Sequence, residues 1–301
     1  MIHYSVLKNE AIENLKLKSD SIIVDATLGY AGHSSSILKT ISNGHLYGFD
    51  QDMNAIEYSD KLLSSIGSNY TLFNTNFSNM KVFMGNRLVD GILFDLGFSS
   101  PQIDDPKRGF SFMNDGPLDM RMSSSGRSAK DVIDNYSKEE LSNLFFTYGE
   151  EKLSKIIANK IVEEKDNINT TLELTEVIKS ATGANYFYKE HPERKIFQAI
   201  RIEVNDELEV LKVALKDAIG MLNKGGRICV ITFHSLEDRI VKNIFKEFSE
   251  VDDMVKGLPI IPDEYKPLIK LVNKNVILPG ERELLENSRS KSAKLRVVER
   301  L

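Results

Sequence analysis

Hydrophobic positions in the first third of the chain fall into short runs. Residues 21–27 read Ser-Ile-Ile-Val-Asp-Ala-Thr, an apolar run that ends in small and polar residues. Residues 46–50, 70–76 and 91–97 have a similar form, and the last is apolar enough to be buried on both faces. Between the runs, residues 34–41 and the stretch carrying Met53, Ile56, Leu62, Leu63 and Ile66 have helical spacing. Strands alternating with helices predict a parallel, doubly wound α/β sheet.

The pattern changes at residues 99–128, which are rich in Ser, Gly, Pro and Asp and show no clear period. A run of helices is predicted next. Ser137 with Glu140 and Thr170 with Glu173 have capping-box spacing. Leu141, Leu144, Phe145 and Tyr148 follow the first box, and Leu153, Ile156, Ile157 and Ile161 continue after Gly149. A last stripe runs from Phe197 through Leu222 and is predicted to stop at Gly225-Gly226. Residues 227–233 are again a buried-strand run, and residues 268–272 and 295–300 are further strand candidates. The simplest division is an α/β core over residues 1–107 and 208–301, with an inserted all-helical substrate-recognition domain over residues 108–207.

Composition narrows the class. The 301 residues are 41% hydrophobic and 28% charged, which excludes a mostly disordered chain. No run of 18 apolar residues predicts a membrane helix, and no signal peptide is visible, so a cytoplasmic protein is expected. A single cysteine, Cys229, excludes an intramolecular disulfide and a cysteine-based zinc cage. The five histidines show no metal-ligand spacing, and no metal is expected. Net charge is −5, which argues against non-specific coating of nucleic acid but leaves room for a local basic patch. Arg282, Arg289, Lys291, Lys294 and Arg296 form such a stretch.

Four segments could carry chemistry. Asp25-Ala26-Thr27-Leu28-Gly29-Tyr30-Ala31-Gly32-His33 is a strand-to-helix turn able to bring a ligand to backbone N–H groups. Only Gly29 and Gly32 match a dinucleotide fingerprint, so a ligand without pyrophosphate suits it better; an ordinary turn fits equally. Asp50, at the end of the second strand, can accept hydrogen bonds from ribose hydroxyls, or be a solvated strand end. Asp95-Leu96-Gly97-Phe98-Ser99-Ser100-Pro101-Gln102 follows the fourth strand, where open α/β sheets bind ligands. Three acids at three strand ends (Asp25, Asp50 and Asp95) would tolerate a cationic cofactor. The loop from Arg108 to Met122 places Phe110 and Phe112 beside arginines, an arrangement suited to bases and phosphates or to an ordered loop packing its own side chains. His234-Ser235-Leu236-Glu237-Asp238 cannot form a Ser-His-Asp triad, because adjacent residues cannot make that geometry.

Taken together, these blocks resemble the bacterial 16S ribosomal RNA cytosine-N4 methyltransferases. The matching blocks also include His3-Tyr4-Ser5-Val6-Leu7, Phe197-Gln198-Ala199-Ile200-Arg201-Ile202, Val204-Asn205, Thr232 to Arg239 and Asn287 to Arg296, in order along the whole chain. The resemblance implies a Rossmann-like sheet with a helical insert, S-adenosylmethionine as cofactor, and 16S ribosomal RNA in the small ribosomal subunit as partner; a homodimer is left open. The cofactor positions it implies are Ala31, Gly32, His33, Asp50, Phe77, Asp95 and Gln102. Catalysis is expected from Asp95, Ser99, Ser100 and Pro101, with Phe98, Phe110 or Phe112 as the stacking face for the base. Ala26, Ala31, Phe98 and Glu203 depart from residues common in the family. Rival readings are a methyltransferase for a small molecule or protein, an NAD dehydrogenase, and an RNA-binding assembly factor with a dead cofactor pocket.

Overall fold

The structure is a computed structural model that describes residues 5–123, 125–251 and 253–301. His3 and Tyr4, and the side chain of Ser100, lie outside what is described. The chain divides into two compact units, one formed by Met1–Gly97 with Leu208–Leu301 and the other by Phe98–Glu207. Residues 98–107, assigned from sequence to the core, thus fall in the second unit.

The first unit begins with helix α1 (Lys8–Asn14) and then alternates β1 (Ile22–Asp25), α2 (Gly32–Thr40), β2 (His45–Asp50), α3 (Met53–Ser64), β3 (Tyr70–Asn74), α4 (Met80–Met84) and β4 (Val89–Asp95). Among the described residues the second unit holds seven α-helices: α5 (Ser100–Asp104), α6 (Ala129–Asn135), α7 (Lys138–Thr147), α8 (Ser154–Glu164), α9 (Thr171–Thr182), α10 (Ala184–Glu190) and α11 (Pro192–Asn205). The chain returns through α12 (Glu207–Met221), β5 (Leu222–Thr232), α13 (Ser235–Ser249), β6 (Ile269–Leu271), α14 (Glu281–Glu286) and β7 (Lys294–Arg300).

Among the described residues, seven strands form one sheet in the order β3-β2-β1-β4-β5-β7-β6. β1 to β5 pair in parallel, and β7 runs antiparallel to both β5 and β6. β1 to β5 form the parallel, doubly wound sheet expected from the alternating pattern, and the whole is the Rossmann-like sheet that the family resemblance implies. The apolar runs are continuous because both faces are buried. Val24, Ile92, Phe94, Ile228 and Val230 join one core with α12 and α13, while the intervening Ile23, Leu93, Cys229 and Ile231 join the other with α1, α2 and α3. Side chains alternate across a strand, so neighbours in sequence serve opposite layers.

The helical unit has its own core. Leu141, Leu144 and Phe145 of α7 pack with Ile157, Ala158 and Ile161 of α8, Leu174 and Ile178 of α9, and Ile196, Phe197 and Ile200 of α11. Both capping boxes start helices where expected, at α7 and α9. The long stripe from Phe197 does not form one helix. Asp206 adopts a left-handed φ of 51°, and α11 ends there before α12 starts. Gly225-Gly226 does not terminate that stripe either. The helix ends at Met221, and both glycines lie within β5, where the pairing with β4 shifts register between Val89 and Gly91.

Candidate active site

The strand order reverses around β1, whose neighbours are β2 and β4. In open α/β sheets the crevice at the carboxyl ends of such strands is where ligands bind. The acids at these ends, Asp25, Asp50 and Asp95, have different surroundings. Asp25 is 1% exposed and fully engaged: Oδ2 accepts from Ser34 Oγ at 2.7 Å and Oδ1 from the Thr27 N–H at 3.2 Å. It ties β1 to α2 and is a structural member of the group. Burial pushes its carboxyl up to about 6, against the pull of those hydrogen bonds.

Asp50 is half-buried. Its Oδ2 accepts from the Gly29 N–H and its Oδ1 from the Asp52 N–H, both at 2.8 Å. Each carboxylate oxygen has a further lone pair, so Asp50 can still accept from two hydroxyl groups. Its carboxyl is also raised to about 6, chiefly by burial and in smaller part by Asp52 and Asp25. The Gly29 contact also explains the turn. Gly29 has φ +49°, a conformation that costs glycine nothing, and presents its N–H to the end of the next strand.

Ala31, fully buried, has φ +56° and leads into α2 at Gly32. A Cβ on Gly32 would lie 1.8 Å from Ser5 Oγ, so the N-terminal segment packs directly on this turn. His33 follows, 5% exposed, with Nε2 3.1 Å from the Val6 carbonyl oxygen and Nδ1 3.5 Å from Asp95 Oδ2. Leu7 donates its N–H to Glu283 Oε1 at 2.9 Å, which fixes the same segment from α14. Asp95 donates its own N–H to Thr27 Oγ1 at 2.6 Å, while its Oδ1 is buried without a hydrogen-bond partner among the described residues. Burial, then Asp25, Glu237 and Glu283, hold its carboxyl well above the usual carboxylate range. Phe77 is half-buried and meets Phe94 edge to face at 5.7 Å.

These residues fit a cationic ligand that carries hydroxyl groups. An orphaned buried carboxylate oxygen and three acids raised by burial all gain from a positive charge. Ala31, Gly32, His33, Asp50, Phe77 and Asp95 are therefore grouped around one end of the sheet in the first unit.

Ser99, Pro101 and Gln102 belong to the helical unit. Gln102 is 7% exposed and its Oε1 accepts from the Ser99 N–H at 2.9 Å, closing the first turn of α5. Ser99 is the N-cap residue of this turn, in a capping box with Gln102. Pro101 lies in the first turn of α5, where its missing N–H costs nothing. Of the three candidate stacking rings, Phe110 is 7% exposed and stacks on Phe98 at 5.8 Å. The Arg201 guanidinium lies 4.5 Å from the Phe98 ring centre, and Phe112 meets Phe197 edge to face at 5.9 Å. The loop between Arg108 and Met122 largely packs its own side chains, with Leu118, Met120 and Met122 buried. Arg108 staples it by donating from Nη2 to the Arg121 and Met122 carbonyls.

Sequence reasoning missed the partners drawn from afar: Val6 on His33, Glu283 on Leu7, and Glu237 near Asp95. His234 and Glu237 turn out to form an N-terminal cap. Glu237 Oε2 accepts from the Phe233 N–H at 2.8 Å, and His234 is the residue before α13. Capping-box spacing, read for Ser and Thr, could have found this helix start. In the basic stretch, Arg296 and Lys294 pair with Asp238, and Arg282 pairs with Glu286.

The chain is 49% identical over 306 residues to a protein named ribosomal RNA small subunit methyltransferase H from Exiguobacterium sibiricum, covering 99% of this chain and 98% of that one. A relative with the same name from Limosilactobacillus fermentum is 48% identical over 308 residues, with the same coverage. Among solved structures, an rRNA methylase from Streptococcus thermophilus superposes with a TM-score of 0.44 at 12% identity, covering 98% of this chain and 93% of that one. The profile of the MraW methylase family matches residues 1–301, and the chain belongs to that family.

Proposed function

We propose that this protein is an S-adenosylmethionine-dependent ribosomal RNA methyltransferase that methylates the N4 amino group of a cytidine in 16S RNA of the small subunit. The observation that carries the reading is the pair of carboxylates, Asp50 and Asp95, at the strand ends on either side of the β1 turn in a member of a methylase family. S-adenosylmethionine supplies an electrophilic methyl group on a positively charged sulfur.

The chain's own residues hold and orient. Asp50 accepts from the ribose hydroxyls, with its carboxylate fixed by the Gly29 and Asp52 N–H groups. Phe77 offers an aromatic face to the adenine. The turn through Ala31, Gly32 and His33 and the open oxygen of Asp95 take the methionine end. Ser99 to Gln102 receive the target base, which must leave any stack to enter. The cytosine amino nitrogen is a poor nucleophile because its lone pair is delocalised into the ring. Hydrogen-bond acceptors on its N–H groups, with the nitrogen aligned on the methyl carbon, lower the barrier.

The test is transfer of labelled methyl to small ribosomal subunits from cells lacking this protein, with free ribosomal and transfer RNA alongside. N4-methylcytidine in the subunit is the expected result. Label in another base or in transfer RNA overturns the assignment, and absence of S-adenosylmethionine binding overturns the enzyme reading itself.

A further inference from the structure

His33 and Asp95 constrain one another's protons. His33 Nε2 lies 3.1 Å from the Val6 carbonyl oxygen, and a carbonyl can only accept, so Nε2 carries a proton. In a neutral imidazole Nδ1 is then a bare lone pair. It faces Asp95 Oδ2 at 3.5 Å. A lone pair against a carboxylate oxygen is repulsive unless a proton lies between them. Either imidazolium faces carboxylate, or imidazole faces carboxylic acid.

The surroundings choose the neutral form. Asp95 is faced by Asp25 at the end of β1, Glu237 of α13 and Glu283 of α14, and each opposes a further negative charge there. His33, at the start of α2, has Lys8 of α1 nearby, which opposes a positive charge. Burial penalises either ion. In keeping with this, the His33 imidazolium is pushed down to about 4 while the Asp95 carboxyl is raised. Asp95 Oδ1, buried and without a partner among the described residues, remains open to a ligand.

We propose that His33 and Asp95 share a single proton as imidazole and carboxylic acid in the cofactor-free protein, and release it to solvent when a cationic group of the methyl donor settles on Asp95. His33 is then a positioning residue that holds Asp95 uncharged until its ligand arrives. The O–H bond of the acid breaks, its electrons stay on Asp95, and the incoming cation takes the proton's place in offsetting the repulsion between the new carboxylate and the His33 Nδ1 lone pair. The inference rests on the S-adenosylmethionine reading.

Isothermal titration of the full chain with S-adenosylmethionine, in phosphate and in Tris at pH 7, tests it. These buffers differ in ionisation heat, so released protons appear as a difference between the two. The expected release approaches one proton per ligand bound, with affinity tightening by up to about tenfold per pH unit across the neutral range. Asp95→Asn abolishes the buffer difference. Nitrogen-15 spectra of the cofactor-free wild type should show His33 protonated at Nε2 alone. Binding with buffer-independent heat, or a doubly protonated His33 ring, overturns the proton-sharing pair and leaves the cofactor reading standing. No binding of S-adenosylmethionine overturns both.

Discussion

Asp50 does two tasks with one carboxylate. It organises the Gly29 turn and the Asp52 cap, and it keeps a lone pair on each oxygen for a ligand. Replacing it with Ala removes two charge-assisted ligand bonds, worth about 1.5 kcal/mol each at the low end of their net range. The expected outcome for Asp50→Ala is a loss of S-adenosylmethionine affinity of about 100-fold, read by calorimetry, with the melting temperature lowered by only a few degrees. Asp25, by contrast, should matter chiefly to stability. Its folded carboxyl titrates near 6, above the ordinary 3.8, so the folded state binds more protons than the unfolded state between those values. Stability contributed by this group is present below about pH 4 and lost as pH rises through about 6. Urea midpoints of the cofactor-free protein should fall over that window, and Asp25→Asn should flatten the fall. Both acids were legible in the sequence as strand ends. Their division of labour was not, because it is set by Ser34 in one case and by Gly29 and Asp52 in the other. His33 was legible only as part of the turn, since its partners Val6 and Asp95 are fixed by the folded chain.

Elements with local signals could be read and those with tertiary causes could not. The boxes at Ser137 and Thr170 start α7 and α9 because the cap and its partner are three residues apart. Thr170→Ala should cost about 1 kcal/mol, measured by urea unfolding. The end of α12 depended on β5 extending back to Leu222, and the glycine pair there was no guide. The strand β7 is pinned by a contact of the same non-local kind. Glu299 accepts from Lys16, Arg227 and Lys270, cations from an early turn, from β5 and from β6, which hold its carboxyl down to about 2 against an ordinary 4.5. This stability is present above about pH 4.5 and is lost as pH falls through about 2. Glu299→Gln should lower stability by about 1 kcal/mol at neutral pH, since solvent reaches the cluster, and remove that acid limb. A urea midpoint profile from pH 2 to 7 that keeps its acid limb in the variant would show that other carboxylates set it.

At the scale of the whole chain, charge is unevenly distributed between the two units. Phe98–Glu207 holds fifteen Lys and Arg against twenty Asp and Glu, so the whole net charge of −5 belongs to the helical unit. The remainder of the chain is balanced. No helix among the described residues is long and apolar enough to cross a membrane. An acidic insert cannot draw in RNA by bulk attraction, and three of the five basic residues near the C-terminus are already paired with acids. On the function proposed above, recognition of the small subunit rests on shape and on few phosphate contacts. A protein that makes six to ten such contacts loses about 10³–10⁵ in affinity between 50 and 200 mM salt. For this protein the expected loss for small subunits over that range is about tenfold, measured by filter binding. Free 16S RNA, which lacks the assembled shape, should bind weakly at both salts. A steep salt dependence on subunits would instead place a dense basic surface against the phosphates.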